Sequence, residues 1–544
     1  MHANTLPDDV LFLIAKQATS PPPLTPSSWG SQLVLLAVCT RWRRVMLPLV
    51  YGRLSVTCGT LKDMLRLVRD GHTTDAPGYA NVQTNAQLVG QAGCADLVRS
   101  VYVSVSHLGD PSFALDTAVQ ECLQIMPSWS RVRKLTLYLA GTDAGREPAD
   151  DAEPVLGVPD IVARLVGAFP SVVSLSLEGV HTTGPAASIC SRIANHYAGQ
   201  ARRLVCQHSV DVAAAAGTAA GTRFERLEAL EYTFDENHLA QPPLACADQL
   251  VALRMLGVPP DFAWEQFRSG GSKRGPLVFP RLTRLALSYD QPWVDGRRSD
   301  HSVVVRGPRL VFPRLELLEL VHGTGSCPIF LQGEFPAGIR RVRVNCPASH
   351  VRELAQCPIP RIDSLVLTVT GSNASEIDAD LAAISVLGRA ARQTPSATLA
   401  ILGSAPLCLS ADAACPWLTE LFVTAPTSTA TVLCLARQLP NLITLRLTCV
   451  HLDEARARRA WQPDDEAPLP IASRIEAVTL SFARSERLGV GHTVFAVTLL
   501  ARLPAVQTLT ALQLPPALFK AHVAELLAHA PHLASVELVL GDSA

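Results

Sequence analysis

Val278-Phe279-Pro280-Arg281-Leu282-Thr283-Arg284-Leu285-Ala286-Leu287 returns about thirty residues later as Val311-Phe312-Pro313-Arg314-Leu315-Glu316-Leu317-Leu318-Glu319-Leu320. The shared skeleton is an apolar residue, Pro, then L-x-x-L-x-L. Its last two apolar residues alternate with polar ones, the pattern of a short strand with one buried face. Proline has no N–H to donate and suits the turn that enters the strand. Further copies lie at Phe169-Pro170, Leu439-Pro440, Leu503-Pro504 and Ala530-Pro531. Looser ones include Val132/Leu135/Leu137, Leu250/Leu253/Met255, Ile339/Val342/Val344, Ile362/Leu365/Leu367, Leu418/Leu421/Val423 and Ile475/Val478/Leu480.

One such strand cannot bury its apolar face alone, but copies stacked side by side share a core. The irregular spacing of the copies brackets that of leucine-rich repeats. Apolar helical faces fill many intervals: Phe113–Met126, Pro159–Ala168, Ala187–Tyr197, Ala374–Arg392, Thr429–Leu439, Thr493–Leu503 and Ala517–His529. Strand-then-helix alternation predicts an α/β fold, a right-handed leucine-rich-repeat solenoid with a parallel inner sheet and outer helices. The first strand of the array is expected within Leu97–Val105.

At 544 residues with 48% hydrophobic content, the chain has ample core. A solenoid escapes the size limit of a compact domain because it grows along one axis. The net charge of −1 favours neither nucleic acid nor an anionic membrane. No apolar run reaches the length of a membrane span, and the N-terminus lacks the layout of a signal peptide. A cytoplasmic or nuclear location is expected. The 14 cysteines are scattered with no C-x-x-C, and read as small core residues.

Catalytic patterns are missing. The Gly-rich stretch Ser269–Gly275 lacks the spacing of a phosphate loop. His529 and His532 are separated by a Pro turn. The acids Asp464, Asp465 and Glu466 read as a solvated loop. A non-enzymatic chain without cofactor or metal is expected, with a recognition surface instead. The polar positions that flank the buried pair should form the inner face of the sheet. Tyr138, Arg254, Arg284, Arg341, Arg343, Phe422 and Arg446 are the candidates there, with Ser288 beside them. Arg near an aromatic offers fork-like hydrogen bonding and stacking to a protein partner.

The first 56 residues differ from the rest. Leu6-Pro7-Asp8-Asp9-Val10-Leu11 and Ile14 open a helix with acids in its first turn, where the dipole favours them. After a Pro/Ser connector come Val38-Cys39-Thr40-Arg41-Trp42-Arg43, then Pro48, Tyr51 and Leu54. In this order the three pieces resemble the F-box, in the form common in fungal proteins. The connector is longer here, and Thr40 stands where a basic residue is common. The resemblance implies residues 1–56 as a small all-α F-box-like segment, 57–96 as a connector with the first capping elements, and 97–544 as an irregular leucine-rich-repeat solenoid. It implies docking on a Skp-family adaptor, and through it a cullin-RING ligase, by Leu6, Pro7, Asp8, Val10, Ile14, Val38, Cys39 and Trp42. The inner face would then hold a target protein. The same helices also read as an end cap for the array, in a scaffold with no ubiquitin role.

Overall fold

The computed structural model describes residues 11–14, 36, 39–58, 82–107, 111–141, 158–178, 185–206, 224–234, 246–258, 262, 264–268, 275–288, 308–321, 333–336, 338–347, 361–371, 396–403, 418–424, 439–450, 474–482, 505–512 and 535–539. The fold is α/β and built on parallel strands. The chain forms two compact units, Met1–Gly257 with Ala263–Leu282, and Val258–Phe262 with Thr283–Ala544.

In the first unit, helix α1 (Thr40–Val50) leads into strand β1 (Arg53–Cys58). Gly52 makes this tight return. A Cβ there would run into the carbonyl oxygen of Pro48. Strand β2 (Val82–Thr84) and helix α2 (Ala86–Gln91) follow. Then come β3 (Ser100–His107), α3 (Pro111–Ile125), β4 (Lys134–Gly141), α4 (Val158–Ala168), β5 (Ser174–Glu178) and α5 (Pro185–Tyr197). Strands β6 (Arg203–Cys206), β7 (Ala229–Thr233), β8 (Ala252–Leu256) and the short β9 (Leu277–Val278) complete the unit. From β1 the sheet runs β3, β4, β5, β6, β7, β8, each pair parallel and in chain order. Strand β2 pairs antiparallel on the outer side of β1. Asn85 extends that edge. Its Oδ1 accepts the Ser55 N–H at 2.8 Å and its amide nitrogen donates to the Arg53 carbonyl at 2.9 Å. The edge strand is thereby covered rather than left open to another chain.

The second unit holds β10 (Arg284–Ser288), the short β11 (Leu310–Val311), β12 (Leu317–Val321) and the short β13 (Gly333–Glu334). Strands β14 (Gly338–Pro347), β15 (Arg361–Gly371), β16 (Ser396–Gly403), β17 (Glu420–Val423) and β18 (Thr444–Val450) follow. The last are β19 (Ala477–Phe482), β20 (Thr508–Leu512) and β21 (Ser535–Val539). Strands β10, β12 and β14 through β21 are again parallel neighbours in chain order. Strand β11 pairs with β13 in a small parallel ladder.

The repeated phrase has a physical cause in each half. Its Phe or Leu starts a four-residue turn with Pro second, where a fixed φ suits it. The turn closes by N–H to C=O bonds from Leu282 to Phe279 at 3.4 Å and from Leu442 to Leu439 at 3.1 Å, and a copy without Pro closes the same way, Val132 to Trp129 at 3.0 Å. The x-x pair then hooks each strand to the one before. Arg133 and Lys134 both donate to the Arg99 carbonyl, Val173 and Ser174 to that of Arg133, and Glu316 and Leu317 to that of Thr283. One carbonyl therefore takes two donors at each of these strand entries. This bend separates the first leucine of L-x-x-L-x-L from the alternating pair. Phe279, Leu282, Leu285 and Leu287 are buried, as are Phe312, Leu315, Leu318 and Leu320.

The helices at Pro111–Ile125, Val158–Ala168 and Pro185–Tyr197 lie where the apolar faces place them. Helix α3 packs on β1 and β3, α4 on α3, and α5 on α4 and β5. The Cys58 thiol, on the leucine face of β1, donates to the Ala114 carbonyl of α3. The helices expected at 374–392, 429–439, 493–503 and 517–529 lie outside the described residues. The array also starts earlier than expected. Strand β1 is already a parallel partner of β3, so the boundary drawn at 56/57 falls inside a strand.

Candidate interaction surface

Of the N-terminal candidates, Leu6, Pro7, Asp8, Val10 and Val38 lie outside the described residues. Residues 11–14 are helical. Leu11 is buried at 1% exposure, while Phe12, Leu13 and Ile14 stand out at 41%, 63% and 45%. Cys39 caps α1, its Sγ accepting the Trp42 N–H at 3.3 Å. Trp42, Met46 and Val50 recur at the helical spacing and are buried. The Trp42 indole N–H has no partner among the described residues. Ile14 is therefore exposed, whereas Trp42 and Cys39 build the helix and its packing.

Opposite the helices, the sheet of the first unit carries a polar face. Ser55, Tyr102, Thr136 and Ser176 align across β1, β3, β4 and β5. The Arg53 guanidinium lies over the Tyr102 ring, 4.8 Å from its centroid. Burial lowers the Arg53 pKa, opposed by Tyr102 and Glu178, and burial raises that of Tyr102. Such a stack holds a long side chain in one place at little entropy cost. Ser176 Oγ donates to Glu178 Oε1 at 2.7 Å. Tyr138 is half-buried in the next row, level with Glu178. Farther along, Arg254 sits opposite Glu231 and bonds to it at 3.1 Å.

In the second unit, Arg343 faces Glu319 across β12 and β14 at 3.3 Å. Arg284 and Arg341 flank Leu317 in one register row, both exposed and without an ion pair among the described residues. Arg446 lies over the Phe422 ring, 5.1 Å from its centroid. Glu420 accepts from the Thr398 hydroxyl at 2.9 Å. The structure thus pairs Arg446 with Phe422, occupies Arg254 and Arg343 with glutamates, and leaves Arg284 and Arg341 open. Ser288, expected on the open face, is instead 3% exposed. It ends its strand, where its carbonyl accepts the Val258 N–H at 2.7 Å.

Sequence reasoning missed Arg53, Tyr102, Lys134 and Arg203. The signal was present in non-leucine copies of the skeleton, Tyr51-x-x-Leu54-x-Val56 and Ala201-x-x-Leu204-x-Cys206, whose apolar members are all buried.

The described cysteines are free thiols, six of them buried. Burial pushes Cys58, Cys122, Cys206 and Cys246 up to about 12, which makes them poor nucleophiles. Among the described residues no cluster of three His, Cys, Asp or Glu side chains could hold a metal ion, and no helix is long and apolar enough to cross a membrane. What the arrangement offers is a broad, polar, aromatic-studded sheet face suited to recognition. No protein-family model matches the chain, and no curated protein does.

Proposed function

We propose that the chain is a substrate receptor of an SCF-type cullin-RING ubiquitin ligase, working in the cytoplasm or nucleus. Its N-terminal helices would dock on a Skp-family adaptor. Its parallel strands would be leucine-rich repeats of a right-handed solenoid whose open face holds a target protein. The reading rests above all on the exposed Phe12-Leu13-Ile14 run beside buried Leu11, within a segment that resembles the F-box. Three adjacent exposed apolar residues on one short helix favour a partner there. The chain itself would make and break no bonds. Holding a target lysine near a ubiquitin-loaded enzyme raises its effective concentration, and that proximity is the mechanism. Lysine occurs at only five positions, which suits a receptor that escapes its own ligase.

A second reading has its own support. Trp42, Met46 and Val50 are buried, so α1 serves packing, and the N-terminal helices could be a cap on a plain scaffold. The test is co-purification of the full chain with a Skp-family adaptor, beside Ile14→Asp and Trp42→Ala variants. On the receptor reading the wild type retains the adaptor. Ile14→Asp loses it with an unchanged urea midpoint, and Trp42→Ala loses stability, by about 3 kcal/mol for a buried Trp. A wild-type chain that retains no adaptor sinks the ubiquitin reading and leaves the scaffold.

A further inference from the structure

The strand-entry row of the first unit carries a periodic positive charge. Arg53, Ser100, Lys134, Ser174 and Arg203 lie side by side across β1, β3, β4, β5 and β6. Every second strand bears a cation and every strand between bears a serine. No acid interrupts the row, which continues into Ala229 and Ala252. Lys134 is exposed and has no ion pair among the described residues. Arg203 is 58% exposed and reaches Glu231 only at 3.7 Å. Arg53 is held in place over Tyr102. Neighbouring strands lie about 4.8 Å apart, so the cations repeat about every 10 Å.

We propose that this row binds an extended acidic segment of a partner protein, laid across the strands with a carboxylate at every third residue. In the extended polyproline II conformation a chain rises about 3.1 Å per residue with three residues per turn, so every third side chain returns to the same face about 9 Å on, close to the distance between successive cations. Of the intervening serines, both half-buried, Ser174 offers a hydroxyl to the peptide between its acids, and Ser100, which donates to the Gly52 carbonyl at 3.4 Å, offers an acceptor. The period also differs from that of a DNA duplex, whose phosphates recur about every 3.4 Å of helix axis on each strand and would leave most charges unmatched. The proposal deepens the reading of the open face as the target-binding surface, but needs nothing from the ubiquitin part of it.

The test is fluorescence anisotropy on the full chain at about 0.15 M salt, where only close charge pairs survive screening. Three labelled probes are compared: a twelve-residue peptide of four Asp-Ser-Gly units, a peptide of the same composition with its four Asp contiguous, and a five-residue oligouridine. The spaced peptide is expected to bind at least several-fold tighter than the other two. Lys134→Glu is expected to weaken it about ten-fold and Lys134→Arg to restore it, with urea midpoints unchanged because the side chain is exposed. Equal binding of all three probes would overturn the proposal in favour of a general polyanion surface. Undiminished binding by Lys134→Glu would also overturn it. A chain that retains the Skp-family adaptor yet binds no spaced peptide refutes this row and spares the receptor reading. One that binds the peptide but no adaptor does the reverse.

Discussion

The position between the paired apolar residues is filled differently in the early strands of the first unit and in the second unit. In β1, β4 and β5, Ser55, Thr136 and Ser176 occupy it and are only 8%, 8% and 5% exposed. In the second unit, Glu319 and Arg343 occupy it, with side chains 36% and 51% exposed. The skeleton beneath is the same, since Leu135, Leu137, Leu175 and Leu177 are as buried as Leu318, Leu320, Val342 and Val344. The rows facing the helices are fixed by close packing, where a single methylene is felt. The open rows answer to no such demand. In the early strands of the first unit they became mostly small hydroxyls, whereas Glu231 with Arg254 on that unit's later strands and Glu319 with Arg343 in the second unit are compensating charges.

The buried side of the first unit adds a pH dependence, because six of its described thiols are buried. Cys58, Cys122, Cys206 and Cys246 are raised by burial from 9.0 to about 12. A raised folded-state pKa contributes stability that is complete below the unfolded value and is lost as pH climbs toward the folded one. The window is therefore pH 9 to 12, and within it each thiol loses about 1.4 kcal/mol per pH unit. Together they amount to a few kcal/mol between pH 9 and 10. Under reducing conditions, hydrogen exchange corrected for its intrinsic rate is expected to show Lys134–Gly141 and Arg203–Cys206 less protected at pH 10 than at pH 8. Unchanged protection would sink the assignment of alkaline instability to these thiols.

Substitutions in the common rows test the other half of the contrast. Leu177→Ala and Leu320→Ala each remove a side chain that is 0% exposed. Each is expected to cost about 3 kcal/mol in urea titration, the usual toll of a leucine-sized cavity. If the two costs differ by more than about 2 kcal/mol, one unit relaxes around the hole and the rows are not equivalent.

Much of this was legible because it is local. Alternation marks the strands, Pro marks their entry, and helical periodicity placed Pro111–Ile125, Val158–Ala168 and Pro185–Tyr197 within two residues. What was lost needed either register or tolerance of other residues. Ser55–Cys58 reads as a short strand in the sequence, but β1 was not recognised as a member of the array, and β6 was overlooked, because Tyr51, Val56, Ala201 and Cys206 stand where Leu was sought. Strand β16 was overlooked because its alternation of Ala397, Leu399 and Ile401 has no apolar-Pro lead-in. The pairing of Arg254 with Glu231 and of Arg343 with Glu319 joins residues 23 and 24 apart, which only strand register reveals. The nearness of Arg446 to Phe422 was anticipated in kind, as Arg beside an aromatic. Trp42 was expected at a docking surface and is buried, because helical spacing puts it in line with Met46 and Val50.

The smallest expected effect separates two kinds of arginine on the open face. Arg343 meets Glu319 at 3.3 Å between side chains in contact with water. Such a pair gives back in desolvation and lost side-chain freedom most of what Coulomb attraction supplies, so Arg343→Ala should change stability by no more than about 0.5 kcal/mol. Arg446 lies over the half-buried Phe422 ring, where attraction to the π face is less screened and the side chain also covers apolar surface. Arg446→Ala should cost about 1 kcal/mol, and Arg446→Lys somewhat less, because a compact ammonium stacks poorly. Salt distinguishes the two further. Raising it to 1 M should erase the Arg343 effect and leave most of the Arg446 effect, since the Debye length falls to about 3 Å. If both effects vanish together, the Phe422 contact is a surface charge interaction like the other, and the open face of the second unit owes its order to charge alone.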